Sequence, residues 1–297
     1  MKRLTILLAL GFLCMNSFAQ SNSDTTVQSK RTDTIRIGNI IIIKRKKTGD
    51  NKSGIEITNE NKTAEGSKKK KSRVSTNWGV IDLGFANYDD QTNYANAGSY
   101  LVNRPGYPAL SASDFKLRSG KSINVNIWFF MQKVNLIKEN VNLKYGLGLE
   151  LNNYRFRSDI SFKEDGPIPY SISGAISNAP FIFRDSVSFT KNKLAADYLT
   201  IPLMLNFSTN HSGKKKQFQV SVGVSAGYLY SSRNKQRSEA RGKETNKGDY
   251  DLERFKFSYI GEVGLGRLKL YASYSPKSIF ENGLNMRPYN FGFRLGN

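Results

Sequence analysis

The sequence predicts an all-β protein: an eight-stranded antiparallel up-and-down transmembrane β-barrel over residues 77–297, preceded by a largely disordered N-terminal periplasmic extension. Eight runs of residues alternate apolar and polar side chains, the pattern of strands with one apolar face. The connections between these runs are alternately long and short, which is typical of outer-membrane barrels. The chain also begins with the features of a secretory signal peptide, which predicts export.

Residues 1–19 form the predicted signal peptide. Two basic residues precede the apolar residues 4–13, and small residues at positions 17 and 19 predict cleavage before Gln20. Cys14, the only cysteine of the chain, lies inside this segment, so the mature protein has no disulfides. A lipoprotein signal is disfavoured because Leu13, rather than a small residue, precedes Cys14.

Residues 20–76 are polar, rich in lysine and poor in aromatic residues, a composition that cannot form a core. The exception is a β-branched segment at 34–46, where the Gly38-Asn39 pair predicts a small hairpin turn. We expect this segment to bind a periplasmic or envelope protein by adding a strand to a sheet. The basic run Lys68 to Lys71 with Arg73 contributes to the net charge of +21 and is best interpreted as a solvated linker near anionic envelope groups.

The eight runs carry bulky apolar residues on one face and mainly Asn, Ser and Gly on the other. A soluble barrel would need many charges on its outer face, whereas small polar residues suit the narrow interior of an eight-stranded barrel. We therefore predict that the apolar faces contact lipid, even though the mean hydropathy is −0.49. The runs occupy residues 77–88, 122–132, 141–152, 194–207, 218–230, 255–263, 268–274 and 289–295.

The connections define which end of the barrel is outside the cell. Outer-membrane barrels have long extracellular loops and short periplasmic turns, so the long connections should be extracellular and the N-terminus periplasmic. The long connections span 89–121, about 155–193, 231–252 and 275–286. The short connections span 133–140, 208–217 and a turn near Gly266.

Several charged residues occupy the alternate strand positions that are predicted to face the barrel interior. Charges inside a narrow barrel are costly unless they are paired, so we expect cross-strand ion pairs that plug the interior, with a gated pore or proton path as the alternative. Asp197 falls on the apolar parity and is expected near the lipid headgroups, and Pro202 predicts a local bulge or bend. The predicted interior residues are Asp82, Lys144, Glu150, Lys256, Glu262, Lys269 and Arg294.

The long loops contain aromatic and arginine side chains that are common anchors of protein interfaces. The candidates for contact with a partner are Tyr100, Arg104, Tyr107, Phe181 and Phe183. The same aromatic residues can equally pack on one another, and the sequence does not choose between these two interpretations.

Three segments resemble the PorT-like outer-membrane β-barrel proteins of Bacteroidetes-type bacteria. They are Asn-Trp-Gly-Val-Ile-Asp-Leu-Gly at 77–84, the Gly-Leu-Gly-Leu-Glu-Leu-Asn-Asn-Tyr-Arg-Phe run at 146–156, and Tyr-Leu-Thr-Ile-Pro-Leu-Met-Leu at 198–205. The resemblance covers most of 77–297 and implies an outer-membrane location. Most members have no assigned activity, and one class belongs to the gliding-associated protein secretion apparatus.

The residues offer little support for catalysis. His211 is the only histidine and lies in a basic turn, away from any nucleophile at a recognisable spacing. No spacing of His and Cys suggests a metal site, and we expect no cofactor. Behind a signal peptide the expected anionic partners are outer-membrane lipid and lipopolysaccharide, and no nucleic acid.

Three functions therefore remain open at the level of sequence. The favoured one is a non-enzymatic structural or interaction component of the cell envelope or of a protein-secretion assembly, acting through its loops and periplasmic tail. The alternatives are a narrow channel or ligand-binding barrel, and an outer-membrane enzyme. The scarcity of nucleophiles and histidines disfavours the enzyme.

Overall fold

The computed structural model describes the backbone of residues 33–37, 40–45, 54–59 and 265, and residues 72–137, 140–209, 218–264 and 268–295 in full. The predicted signal peptide, the lysine run at 68–71, the Gly266 turn and His211 lie outside the described residues. The described chain divides into two compact units, residues 1–70 and 71–297.

The first unit contains a three-stranded antiparallel sheet, in the order β1–β2–β3. Ile37 of β1 pairs with Ile40 of β2, and Arg45 of β2 pairs with Gly54 of β3. The sheet therefore includes residues 34–37 and 40–45 of the predicted segment, and a further strand that the sequence pattern did not predict. The predicted turn at Gly38-Asn39 lies outside the described residues. Its strands are β1 (Asp33–Ile37), β2 (Ile40–Arg45) and β3 (Gly54–Asn59).

The second unit is built around a closed antiparallel ring of eight strands. Each strand pairs with the next along the chain, the last with the first through Arg294 and Asp82, and the ring contains no parallel pair. Every ring strand overlaps one of the eight predicted runs. The strands are β4 (Val74–Asp90), β6 (Ile123–Ile137), β7 (Val141–Arg155), β12 (Lys191–Ser208), β13 (Phe218–Ser238), β15 (Phe255–Leu265), β16 (Leu268–Tyr274) and β17 (Met286–Leu295).

The apolar faces lie outside the ring, as predicted. On β12 the side chains of Leu199, Ile201, Leu203 and Leu205 are exposed, whereas the alternating residues between them are buried. Strand geometry places these alternate side chains on opposite faces of the sheet. Aromatic pairs mark both ends of this apolar belt: Trp78 with Phe130 at one end and Tyr228 with Phe255 at the other.

Strands β4 and β6 each contain one irregular position, and the two positions face each other. They reverse the alternation of inward and outward side chains before Gly79 in β4 and after Phe129 in β6. Gly79 has a positive φ of 66°, and the β6–β7 register shifts between Trp128 and Phe130. In the predicted run 122–132, Met131 alternates with Ile127 and Phe129 and was expected on the lipid face. This expectation is wrong, because Met131 is buried inside the ring together with Val80 and Trp128. A bulge inserts one extra residue, and every side chain beyond it changes face.

Strand β12 contains two further departures from regular pairing. The ladder to β7 is interrupted at Ile201 and Pro202 without a change of register, because proline has no N–H to donate. The register shift lies instead between β12 and β13, where Asp197 pairs with Ser231 and Tyr198 with Leu229, so Tyr230 is an extra residue on β13. No bulge lies at Pro202 itself, where the pairing with β7 is only interrupted.

The long connections fold together into a structured unit at one end of the ring, which we call the cap (residues 91–122, 156–190, 239–254 and 275–285). The prediction of a loop at 231–252 is wrong in part, because β13 continues to Ser238 and forms a hairpin with β14. The cap strands are β5 (Leu101–Val102), β8 (Ile160–Lys163), β9 (Gly166–Pro167), β10 (Ile176–Ser177), β11 (Phe181–Arg184) and β14 (Gly242–Lys247).

Helices contribute little to the described part of the chain. They are three 3₁₀ turns in the cap, at Tyr94–Asn96, Gly98–Tyr100 and Ser119–Lys121. Within the residues that the structure describes, no helix is long and apolar enough to cross a membrane.

Candidate functional site

The interior of the ring is centred on Arg294, which β17 directs inward opposite Asp82 of β4. The guanidinium Nε lies 2.6 Å from Asp82 Oδ1 and Nη2 lies 2.7 Å from Oδ2, a bidentate pair. Asp82 also accepts hydrogen bonds from Trp128 Nε1 at 2.7 Å and from Asn126 Nδ2 at 3.2 Å. These donors satisfy a carboxylate that is fully buried.

Glu262 of β15 joins this pair to the other side of the ring. Its carboxylate contacts Nη1 of Arg294 and lies 2.5 Å from Lys144 Nζ on β7. Ser221 Oγ lies 3.4 Å from the same carboxylate. Arg294 and Glu262 thus connect strands β4, β7, β13, β15 and β17 across the interior.

A second cluster lies around Glu150 of β7. Lys256 of β15 forms an ion pair with Glu150, and its ammonium group lies 5.4 Å from the ring centroid of Tyr198. Glu150 Oε1 also accepts hydrogen bonds from Asn152 Nδ2 at 3.1 Å and from Asn290 Nδ2 at 3.0 Å. Each charge of this buried pair therefore has a partner of opposite sign.

Asparagine side chains link the two clusters. Asn124 Nδ2 donates to Asn126 Oδ1 at 3.0 Å and to Asn152 Oδ1 at 2.9 Å. Tyr271 donates its hydroxyl proton to Asn124 Oδ1 at 2.5 Å. The interior is consequently one continuous polar network that reaches from Asp82 to Glu150.

Six of the seven predicted interior residues meet in these ion pairs. The seventh, Lys269 on β16, is half-buried and packs its stem over Gly264, where an added Cβ would lie 2.9 Å from Lys269 Cγ. Trp128 and Tyr271 also face the interior, but their contributions were missed because only charged residues were predicted to form the interior network.

The space that remains inside this network is small. The interior cavity has a volume of about 30 Å³. A single water molecule needs roughly 10–15 Å³ of such a cavity, so the cavity accommodates only a few waters. It is lined by both clusters, including Asp82, Glu150, Glu262, Arg294, Trp128 and Tyr271.

The cap covers the end of the ring with a hydrophobic core of its own. Residues from all four long connections, such as Leu110, Ile182, Leu252 and Phe280, belong to one buried cluster with Tyr198 inside the ring. The cap core is therefore continuous with the ring interior, and the mouth is closed by packed side chains.

Three of the predicted loop contacts are wrong for this reason. Tyr100, Phe181 and Phe183 are buried in the cap, and Tyr100 donates its hydroxyl proton to the carbonyl of Tyr250 at 2.8 Å. A partner cannot reach these side chains without unfolding the cap. Mutual packing, the alternative left open by the sequence, is the correct interpretation for them.

The other two loop candidates lie at the cap surface. Tyr107 is 52% exposed, and the guanidinium carbon of Arg104 lies 4.3 Å from its ring centroid. The same guanidinium lies 5.5 Å from the ring centroid of Tyr170. Arg104 and Tyr107 are thus available to solvent as a preformed cation–π pair.

Two charged pairs hold the cap strands. Arg184 of β11 donates to Asp114 Oδ1 at 2.7 Å. Asp185 accepts hydrogen bonds from Arg241 at 2.9 and 3.0 Å and from Ser161 Oγ at 2.8 Å. Burial raises the pKa of Asp185. The hydrogen bonds from Arg241, Ser161 and the Val187 N–H lower it by more, so the pKa of Asp185 is below the ordinary value.

Asp197 lies on the outer face, immediately beyond the apolar belt. It is buried and forms an ion pair with Arg233 of β13 at 2.7 Å. Asp197 was predicted to face outward. Its ion pair was not predicted, because Arg233 was placed in the loop at 231–252.

Within the part of the chain that the structure describes, no group of three or more His, Cys, Asp and Glu side chains could hold a metal ion.

A comparison with protein-family models agrees with this architecture. A family model described as outer membrane protein beta-barrel domain matches residues 82–280. No curated protein matches the chain. Among solved structures, the chain is similar to Ail, the attachment invasion locus protein of Yersinia pestis, at 10% identity and a TM-score of 0.27, over 74% of this chain and 98% of that chain.

Proposed function

Because the chain belongs to the outer membrane protein β-barrel domain family, we propose that it is a non-conducting, non-enzymatic barrel that presents a rigid extracellular cap and a periplasmic N-terminal extension. In this role the barrel is a structural anchor, and contacts with other envelope components are made at its two ends. The observation that carries the proposal is the interior, which ion pairs and asparagines fill to a cavity of about 30 Å³.

A narrow channel or ligand-binding barrel has less support. A conducting pore needs a continuous aqueous path, whereas Arg294 with Asp82 and Glu262 crosses the interior and the cap core closes one end. A bound ligand of ordinary size needs roughly 300 Å³ or more, about ten times the volume of the interior cavity.

Membership of the PorT-like group and a role in a cell-envelope or protein-secretion assembly are the finer part of this proposal. The motifs at 77–84, 146–156 and 198–205 support them. The three-stranded sheet β1–β3 supports a binding role for the extension, because an extension that only linked the barrel to another body would not need a sheet.

Planar-bilayer recordings test the closed interior. The reconstituted wild-type protein should give no steady conductance, and heat-modifiable migration of the same sample shows that the barrel is folded. Discrete single-channel openings from the folded wild type would contradict a non-conducting barrel and favour the channel.

Cysteine labelling tests the orientation. The mature chain has no cysteine of its own, and Ile172 in the cap is fully exposed. Ile172→Cys should react with a membrane-impermeant maleimide on intact cells. The matched control is Thr209→Cys, exposed at the opposite end of the ring, which should react only after the cells are permeabilised. The reverse pattern would place the cap in the periplasm.

A further inference from the structure

A dense group of cations lies on the outer face of the strand ends next to the cap, and we call it the basic patch. Its members alternate with buried residues along β12 and β13, so they share the outward face. Cross-strand register places them directly beside one another: Lys193 pairs with both Arg155 and Lys235, and Arg237 with Lys191. The patch consists of Arg155, Lys191, Lys193, Arg233, Lys235, Arg237, Lys243 and Lys247.

Like charges that face each other across a strand pair destabilise the sheet, and this patch contains several such pairs. Burial lowers the pKa of Lys193 to about 8, with repulsion from Lys191, Lys235 and Arg233 adding to the effect. The pKa of Lys235 is lowered by burial and by Arg233. Both lysines lie beyond the apolar belt, where an anion would relieve this repulsion.

The carboxylates near the patch do not neutralise it. Among the described residues, Asp197 is the one carboxylate in ion-pair contact with the patch, through Arg233. Glu244 pairs in register with Gln236, whose side chain points inward, so Glu244 lies on the opposite face of the hairpin. The patch therefore keeps a large excess of positive charge.

The patch lies at the strand ends of β7, β12 and β13 and on β14. Two exposed cations near other parts of the ring have acidic partners: Arg254 with Asp249 at 3.5 Å, and Lys277 with Glu253. Further exposed cations, Lys116, Arg118, Lys121 and Arg157, lie in the connections of the cap. The patch differs from these cations because its members stand side by side on paired strands.

The patch directly adjoins the apolar belt. Toward the cap, the exposed apolar side chains of β12 end at Leu199, which is followed in that direction by Asp197 and Lys193. Those of β13 end at Tyr230, which is followed by Arg233. Alternate residues along a strand are about 6.5 Å apart and neighbouring strands about 4.8 Å, so one phosphate on the patch can contact several cations. A ligand that fits both surfaces carries phosphate groups directly above acyl chains.

We propose that the basic patch binds the phosphate groups of a phosphorylated glycolipid of the outer leaflet, the lipid A part of lipopolysaccharide, while its acyl chains lie against the belt below Tyr230. The proposal rests on the extracellular orientation of the cap proposed above. The centre of the site is formed by Lys193, Lys235 and Arg237. The ammonium group of Lys193 donates a 2.6 Å hydrogen bond to Asn153 Oδ1, which fixes its position. Charge-assisted hydrogen bonds to phosphate oxygens supply the recognition.

The test uses the full-length mature chain in phosphatidylcholine nanodiscs that contain increasing fractions of either bisphosphorylated or dephosphorylated lipid A. The dependence of binding on the lipid A fraction gives an apparent affinity for each lipid. It is measured for the wild type, for the patch variant Lys193→Gln/Lys235→Gln/Arg237→Gln and for a matched control. The control, Lys163→Gln/Arg254→Gln/Lys277→Gln, removes the same charge from exposed cap positions. Heat-modifiable migration is measured on each sample, and conductance is measured on the same protein preparations in planar bilayers.

The wild type and the control should prefer bisphosphorylated lipid A, and the patch variant should bind it on the order of 100-fold more weakly, roughly fivefold for each cation removed. The preference should decrease as salt increases. Equal affinity of the patch variant and the wild type, or equal affinity of the wild type for both lipids, would overturn the proposal. Since the assay is independent of cellular orientation, such a result from a closed, folded barrel contradicts the lipid site and leaves the proposed function intact.

Discussion

At the scale of single residues, the buried ion pairs of the protein give each charge a partner of opposite sign. Arg294, Glu262 and Lys144 illustrate this inside the ring, and Asp185 with Arg241 illustrates it in the cap. Removing one member of such a group leaves the other without compensation. The cap pair is also accessible to titration, because the Arg241 side chain is 40% exposed.

Asp185 makes the stability of the cap dependent on pH. Its pKa is lower in the folded protein than in an unfolded chain, so its contribution is complete above the unfolded pKa of about 3.9 and is lost as the pH falls through the folded pKa. Hydrogen-exchange protection of β8 and β11 should therefore decrease below about pH 4. Asp185→Asn should lower that protection by roughly 1–2 kcal/mol near neutral pH and remove the acid dependence.

The control for this prediction is Asp165→Asn, at an exposed position of the same connection, which should behave as the wild type does. An unchanged acid dependence in Asp185→Asn would assign the effect to another carboxylate.

At the scale of an element, strand β12 combines three environments along one extended chain. Its outward side chains are apolar from Leu199 to Phe207, Asp197 pairs with Arg233 at the edge of the belt, and Lys193 belongs to the basic patch. The strand therefore passes from lipid to headgroup within a few residues, and the cost of a charge should depend strongly on position.

A pair of substitutions on β12 tests this dependence. Leu203 lies near the middle of the outward apolar residues and Leu199 at their cap-side end. Leu203→Arg should lower the free energy of unfolding by about 2–4 kcal/mol, whereas Leu199→Arg should cost about 0–1 kcal/mol near the interface. Urea unfolding in lipid vesicles measures both, and equal costs would show that the belt is not centred on Leu203.

At the scale of the whole molecule, the barrel and the N-terminal extension are separate units. Among the described residues, the ring strands pair with one another and β13 also pairs with β14, so the backbone ladder of the ring closes on itself. We expect the extension to act independently of barrel formation.

Deleting residues 34–46 should therefore leave heat-modifiable migration unchanged and abolish co-purification of a periplasmic partner. The expected loss follows from strand addition, in which main-chain hydrogen bonds supply the affinity. Deletion of 21–32, a polar segment of similar length, is the control and should retain the partner. A barrel that no longer folds without 34–46 would make this segment part of the barrel.

The number of ring strands, their outward apolar faces and the inward position of residues such as Asp82 and Lys256 could all be predicted from the sequence. This was possible because a strand exposes alternate residues to opposite sides, so the environment of each side can be read locally. The same local reasoning was wrong for Met131. The irregular positions at Gly79 of β4 and Phe129 of β6 exchange inward and outward side chains beyond them, and the amino-acid composition gives no clear signal of this change.

The packing of the long connections could not be predicted from the sequence. Tyr100 contacts the carbonyl of Tyr250 across 150 residues of sequence, and Phe181 and Phe183 are buried by residues from other loops. Burial of a loop side chain depends on which distant segments meet it, and no periodicity records that. The basic patch became visible for the same reason: Arg155, Lys193 and Lys235 are far apart in sequence, and strand register brings them together.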